Sequence, residues 1–202
     1  MTPLPPNPWG DRRKVRIGLL GGSFNPAHDG HRHVAELSLK LLRLDEVWLL
    51  VSPQNPLKSS SGMAPLTERL NSARQAAAGN CRIRATALES ALGTRYTADT
   101  LTVLHIRFPR ARFIWLMGAD NLAQMEQWDR WPRIFRTVPV AILARGPYSA
   151  RVLATKAARR FGRFRVSPAR PRALCVLPPP AWIFLHTRRH PASSTAIRSR
   201  QI

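Results

Sequence analysis

VRIGLLGGSFNPAHDGH, residues 15–31, is the stretch from which the rest of the chain can be read. Val15 to Leu20 is apolar apart from Arg16 and reads as a short buried strand. Small residues follow, then two histidines three apart, then a run in which Val34, Leu37, Leu41 and Leu42 recur at helical spacing. A strand, a small-residue turn and a helix start form the layout of a nucleotide phosphate site. Gly21 and Gly22 carry no Cβ, so the backbone there can approach a bulky anion. The helix start offers unpaired N–H groups and a partial positive charge. His28 and His31 are spaced to share one face of the first turn, and imidazoles donate hydrogen bonds to phosphate oxygens. The turn has neither the Gly-Lys-Ser/Thr ending of the phosphate loop nor the three-glycine dinucleotide fingerprint.

Working outward, Glu46 to Val51 is a near-continuous apolar run, as expected of a strand covered on both faces. A proline-punctuated loop runs from Ser52 to Gly62, and Thr67 is placed to cap a helix reaching Ala78. Strands are expected at Arg82–Leu88, Ala111–Met117, Val138–Ala144 and Ala181–His186, and helices at Gly30–Leu42, Thr97–Ile106 and Tyr148–Phe161. Residues 165–180 are proline-rich and poorly patterned. Alternating strands and helices predict an α/β fold: a Rossmann-like parallel sheet with helices on both faces, in a single domain. That domain spans residues 14–202, behind a loose proline-rich lead-in over 1–13. Ligands on such sheets bind beyond the carboxyl ends of the strands.

A chain of 202 residues suits one such domain. It shows no apolar signal segment and no run near the ~18 apolar residues of a membrane span, so a cytoplasmic protein without membrane contact is expected. Cys81 and Cys175 are isolated and lack metal-ligand spacing, which predicts buried free thiols, with a structural disulfide as the alternative, and no protein-held metal. The formal net charge is +21, and Asp129 is the last acidic residue. Such asymmetry favours polyanionic ligands. The excess is almost wholly arginine and thinly spread, without a helix-turn-helix or RNP-like pattern, so phosphate ligands are expected and a nucleic-acid partner is not. A basic nucleic-acid-binding protein is the remote alternative. The sequence assigns no oligomeric state.

His28-Asp29-Gly30-His31 resembles the signature of the HxGH nucleotidyltransferases. Near the other end, Ser193-Ser194-Thr195-Ala196-Ile197-Arg198 reads alone as an ordinary helix cap. Together with the first motif it resembles the Ser-Ser-Thr-x-Ile/Leu-Arg segment that closes over ATP in that superfamily. Three further stretches are similar to segments of bacterial nicotinate-nucleotide adenylyltransferases, in matching order: Ser52 to Lys58, Arg95 to Leu101, and Gly118-Ala119-Asp120-Asn121 with Trp128 downstream. The resemblance runs from about residue 15 to residue 200.

It implies transfer of the adenylyl group of ATP to nicotinate mononucleotide, giving deamido-NAD and pyrophosphate, with Mg²⁺ carried by ATP. It implies that His28, His31, Lys58 and Arg198 neutralise developing charge. Gly21, Gly22, Ser23, Phe24, Gly118, Asp120, Ser193, Ser194 and Thr195 would complete the ATP site, and Asn55, Lys58, Tyr96, Thr97 and Trp128 the acceptor pocket. Read without the resemblance, Lys58 is equally a surface lysine, Tyr96 and Trp128 cover the core, and Asp120 caps a helix. Nicotinamide mononucleotide and phosphopantetheine phosphate are the alternative acceptors. Asn25 departs from the pattern, standing where Asp is often found, and Asp29 fills a variable position. The chain stops four residues after Arg198, so a closing helix there would be very short.

Overall fold

Strand β1 (Arg16–Gly22) is the third strand across a seven-stranded sheet with β2 (Glu46–Val51), β3 (Ile83–Thr86), β4 (Arg112–Gly118), β5 (Val140–Ala144), β6 (Arg165–Val166) and β7 (Trp182–His186). The order is β3-β2-β1-β4-β5-β7-β6, and every pair is parallel. The computed structural model describes residues 6–54, 62–144 and 147–187. Helices α1 (Asp29–Leu41), α2 (Leu66–Ala77), α3 (Leu88–Ala91), α4 (Thr97–Arg107), α5 (Ala119–Gln124), α6 (Trp131–Thr137) and α7 (Lys156–Arg160) connect and cover the strands.

The sheet is buried on both faces, which is why β2 and β5 contain no exposed residue. On one face Leu20, Val47, Leu49 and Leu116 meet Val34, Ala35 and Leu39 of α1 and Ala73 and Ala77 of α2. On the other, Ile17, Leu19, Trp48 and Trp115 meet Leu101 and Leu104 of α4, Ile134 and Phe135 of α6 and Ala157 of α7. The chain moves from β1 outward to β2 and β3, then returns to the other side of β1 with β4. The carboxyl ends of β1 and β4 therefore flank the point where the winding reverses, the place where α/β sheets open a ligand crevice.

The single-domain Rossmann-like architecture is as expected, and several details are not. The second helix starts at Leu66 with Pro65 at its N-cap position, so Thr67 lies inside the first turn and caps nothing. Pro65 holds φ near −50°, already suited to a helix entrance. The third strand ends at Thr86, and Leu88, expected at its end, begins the one-turn α3. An apolar residue next to a short strand does not reveal which element it belongs to. The expected helix over 148–161 is divided into a 3₁₀ segment, Pro147–Ala154, and α7. Thr155 breaks it by capping α7, its hydroxyl accepting from the Ala158 N–H at 3.4 Å. Both cysteines are free, but only Cys175 is buried and Cys81 is exposed.

The lead-in lies against the domain at named points. Trp9 stands under the Arg107 guanidinium at 5.7 Å, and Arg13 pairs with Glu46 at 2.6 Å.

Candidate active site

Gly21 and Gly22 end β1 at the crevice. A Cβ on Gly21 would stand 2.4 Å from Cη2 of Trp115, so the indole packed across this residue itself requires glycine. Phe24 turns the chain in the left-handed region (φ 49°), a conformation costly for a residue with a Cβ. Its ring is buried beside α1, 4.8 Å from the His31 ring. Of Phe24, then, only the backbone can serve a nucleotide. Asn25 next donates from Nδ2 to the Gly62 carbonyl (3.0 Å) and accepts at Oδ1 from the Ala64 N–H (3.1 Å). The amide does both tasks, which explains Asn here, because a carboxylate only accepts. The Ala27 N–H donates to Ser72 Oγ of α2 at 3.1 Å.

His28 and His31 form the start of α1. His28 is the N-cap, and its Nδ1 accepts from the Gly30 N–H at 3.0 Å. His31 reaches back, its Nδ1 accepting from the His28 N–H at 3.2 Å. Two imidazoles thus play the parts that a hydroxyl and a carboxamide or carboxylate take in the common capping box. The arrangement has a chemical consequence. Because both Nδ1 atoms accept, each neutral ring carries its hydrogen on Nε2 and is a donor there. The rings lie 3.9 Å apart at a helix N-terminus, beside the reversal point of the sheet. With the first-turn amides of His28 and Gly30 taken by the imidazoles, the two Nε2–H donors are the groups this helix start can offer an anion.

On the opposite face, Tyr96 is the N-cap residue of α4 and Thr97 its first residue. Trp128 is half-buried and stands edge-on to the buried Trp115, 6.2 Å away. Trp115 Nε1 is itself buried and finds no partner among the described residues. Arg130 fastens this wall, bonding Asp129 at 2.5 Å and Asp99 of α4 at 2.6 Å, with the Tyr96 ring 5.9 Å from its guanidinium. Gly118 closes β4 and is the N-cap of α5, while Asp120 is exposed in the first turn and does not cap it. Lys58, Asn55, Ser193, Ser194, Thr195 and Arg198 lie outside the described residues.

Two residues of this region were not singled out from the sequence. Arg69 of α2 is only 3% exposed, and all four of its acceptors are backbone carbonyls. Burial without a carboxylate partner lowers its pKa. Its signal was present: Arg69, Ala73 and Ala77 form the buried stripe of α2 at four-residue spacing. Glu89 of α3 is 5% exposed and accepts from Thr100 Oγ1 at 3.2 Å. Burial pushes its carboxyl up to about 7, against the pull of hydrogen bonds with Thr100 and Ser52. Nothing in Leu88-Glu89-Ser90-Ala91 marks that carboxylate as buried.

The raised value makes stability depend on pH in a definite direction. Glu89 favours the folded state fully below its ordinary range near 4.5, and that contribution is lost as pH rises through about 7. The full difference is about 3 kcal/mol. Glu89→Gln removes the titration and keeps an amide for the hydroxyls. Its melting temperature relative to the unsubstituted protein is therefore expected to rise by about 5–10 °C between pH 5 and pH 8. Calorimetric scans at both values check this, and parallel curves would remove Glu89 from the balance.

Beyond the crevice, several arginines stack on the fold itself: Arg160 over Trp131 at 5.6 Å and Arg165 over Trp182 at 5.4 Å. Among the described residues, no helix is long and apolar enough to cross a membrane.

Comparison with known proteins bears on the family and the fold. A family described as cytidylyltransferase-like matches residues 19–200. A probable nicotinate-nucleotide adenylyltransferase of Bradyrhizobium sp. (strain ORS 278) is 49% identical over 92% of this chain and 96% of its own length. One of Cereibacter sphaeroides (strain ATCC 17025 / ATH 2.4.3) is 51% identical over 91% of this chain and 96% of its own. The fold is shared with Plasmodium falciparum nicotinic acid mononucleotide adenylyltransferase complexed with NaAD, at a TM-score of 0.66 and 18% identity, covering 92% of this chain and 83% of that one.

Proposed function

The chain belongs to the nicotinate-nucleotide adenylyltransferases of the cytidylyltransferase-like family, and from that membership we propose how its residues divide the work. It transfers the adenylyl group of ATP to nicotinate mononucleotide, in NAD biosynthesis. A phosphate oxygen of the mononucleotide attacks the α-phosphorus of ATP. The bond from that phosphorus to the bridging oxygen breaks, and pyrophosphate leaves with the electron pair. The attacking oxygen is already ionised near neutral pH, so no general base is assigned. Catalysis consists of alignment and charge stabilisation.

The observation that carries this division is the two-histidine capping box, whose Nδ1 contacts leave each neutral ring an Nε2–H donor. His28 and His31 donate to phosphate oxygens of ATP as charge builds on the leaving pyrophosphate. Gly21, Gly22, Ser23 and the Phe24 backbone border the nucleotide, with Gly118 and Asp120 near its ribose. Trp128 stacks on the pyridine ring, and Tyr96 and Thr97 line the same pocket. Lys58 and Arg198 join the histidines in neutralising charge, while Asn55 touches the acceptor and Ser193, Ser194 and Thr195 the ATP. These six are assigned from the resemblance of their segments.

Mg²⁺ carried by ATP would supply charge neutralisation on the triphosphate. The ion is assigned to nucleotide oxygens and water, the usual partners of Mg²⁺ at a triphosphate. The ligands are small anions met by a basic protein, and the cytoplasm is the proposed location.

The test is pyrophosphate release by purified protein with ATP and Mg²⁺, offered nicotinate mononucleotide, nicotinamide mononucleotide or phosphopantetheine phosphate. A preference for nicotinate mononucleotide of at least tenfold in kcat/KM is expected. Equal use of the amide would reassign the acceptor, and release with none of the three would overturn the reaction.

A further inference from the structure

Three polar residues with no part in the chemistry above lie end to end across the carboxyl edge of the sheet. Arg69 donates from Nη1 to the carbonyls of Ser23 (2.8 Å) and Ser52 (2.7 Å), from Nη2 to that of Pro53 (2.8 Å), and from Nε to that of Ala64 (2.8 Å). Ser52 donates its N–H to Gly22 O at 2.9 Å, and its hydroxyl reaches both the Glu89 carboxyl and, at 3.2 Å, the carbonyl of Gln54. Glu89 in turn meets Thr100 Oγ1 of α4, which lies 2.9 Å from Thr94 Oγ1, and the Thr94 N–H donates to the Glu89 carbonyl at 3.0 Å. The contacts run unbroken from Ser23, in the ATP-side loop, to α4, which carries Tyr96 and Thr97 at its start.

We propose that Arg69, Ser52 and Glu89 are positioning residues forming one tie between the ATP loop and the acceptor helix, so that occupancy of either substrate site favours occupancy of the other. The proposal rests on the adenylyl-transfer reading given above. Ser52 is the joint, because its backbone belongs to the Arg69 side and its hydroxyl to the Glu89 side. That hydroxyl has one proton and two acceptors. An ionised Glu89 takes the hydroxyl protons of Ser52 and Thr100. A neutral Glu89 keeps its own proton and donates it to one hydroxyl oxygen, which then gives its proton to a carbonyl instead. For Ser52 that carbonyl is Gln54 O, and for Thr100 it is Tyr96 O at 3.2 Å. Gln54 directly precedes Asn55 in sequence, and Tyr96 is the N-cap residue of α4. The proton on Glu89 thus decides how firmly Gln54 and the start of α4 are held.

Other charged groups around the tie are engaged elsewhere. Arg69 reaches Glu89 only through Ser52. Asp99, in the first turn of α4, is taken by Arg130, and Arg95 lies 5.7 Å over the Tyr96 ring. From the loop after β2 the neighbour is Ser52, and from α4 it is Thr100.

The test uses the whole protein and α,β-methylene-ATP, which cannot transfer its adenylyl group. Titration calorimetry gives the dissociation constant of this analogue with and without a saturating acceptor, taken as the acceptor that supports pyrophosphate release. About tenfold tighter binding with the acceptor present is expected for the unsubstituted protein. Ser52→Ala should lower that ratio below twofold while its binding of the analogue alone stays within threefold. Glu89→Gln should keep a ratio that no longer changes between pH 6 and pH 8, where the unsubstituted protein's ratio does. A ratio near one in the unsubstituted protein, or an unchanged ratio in Ser52→Ala, overturns the tie while leaving the reaction intact. Absence of turnover with every acceptor overturns the reaction, and the tie with it.

Discussion

His31→Ala is expected to lower kcat by about 10²- to 10³-fold while the protein stays folded. The structure separates the two roles of this side chain. Its Nδ1 accepts the His28 N–H, which belongs to the helix cap, and a lost cap costs only about 1 kcal/mol. Its Nε2–H is assigned to charge that grows on the leaving pyrophosphate, and a donor aimed at developing charge in a dry site is worth several times more than in water. Activity should therefore fall far more than stability. His31→Asn sharpens the distinction, because a short amide still offers an oxygen to the His28 N–H but does not carry a hydrogen to the Nε2 position. It should recover the melting temperature and little of the turnover. Pyrophosphate release at saturating substrates, with melting scans of the same samples, decides the matter. A kcat within threefold of the unsubstituted protein would remove His31 from the charge-stabilising set.

The parallel sheet was legible because its strands are buried on both faces and so read as apolar runs. Glu46 to Val51 was bounded without error for that reason. The histidine pair was legible from spacing, yet its capping box was not, since histidine is an unusual cap and only the backbone shows which nitrogen accepts. In sequence Gly21 reads as space left to a ligand, while the observed constraint is the Trp115 indole from another strand. Contacts between residues far apart in sequence leave no local trace. Arg69 shows the intermediate case. Its place on the alanine stripe of α2 carried a signal of burial that the sequence reading passed over, and its four carbonyl partners come from three separate loop segments. Glu89 shows the limit, because burial of a carboxylate in a one-turn helix follows from neighbours and not from its own segment.

Trp128→Ala is expected to raise KM for nicotinate mononucleotide by about 10- to 100-fold, the range of one lost ring-stacking contact. KM for ATP should stay within about threefold, because the histidine pair lies at the start of α1 on the other face of the sheet. The indole is assigned to the acceptor side: it is half-buried, edge-on to Trp115, and precedes the Asp129–Arg130 pair that fastens its loop to α4. That perpendicular contact fixes the plane of the ring before substrate arrives, so little ordering remains to be done on binding. Truncation also removes support from Trp115, and a loss of packing would weaken both substrates together. Trp128→Phe separates these effects, since a smaller aromatic keeps a stacking face and much of the contact. It should recover most of the acceptor KM. Initial rates with each substrate varied in turn provide the measurement. If both KM values rise alike in Trp128→Ala, the residue only covers the core, and the pyridine ring must find its aromatic neighbour elsewhere, with Tyr96 next in line at the N-cap of α4.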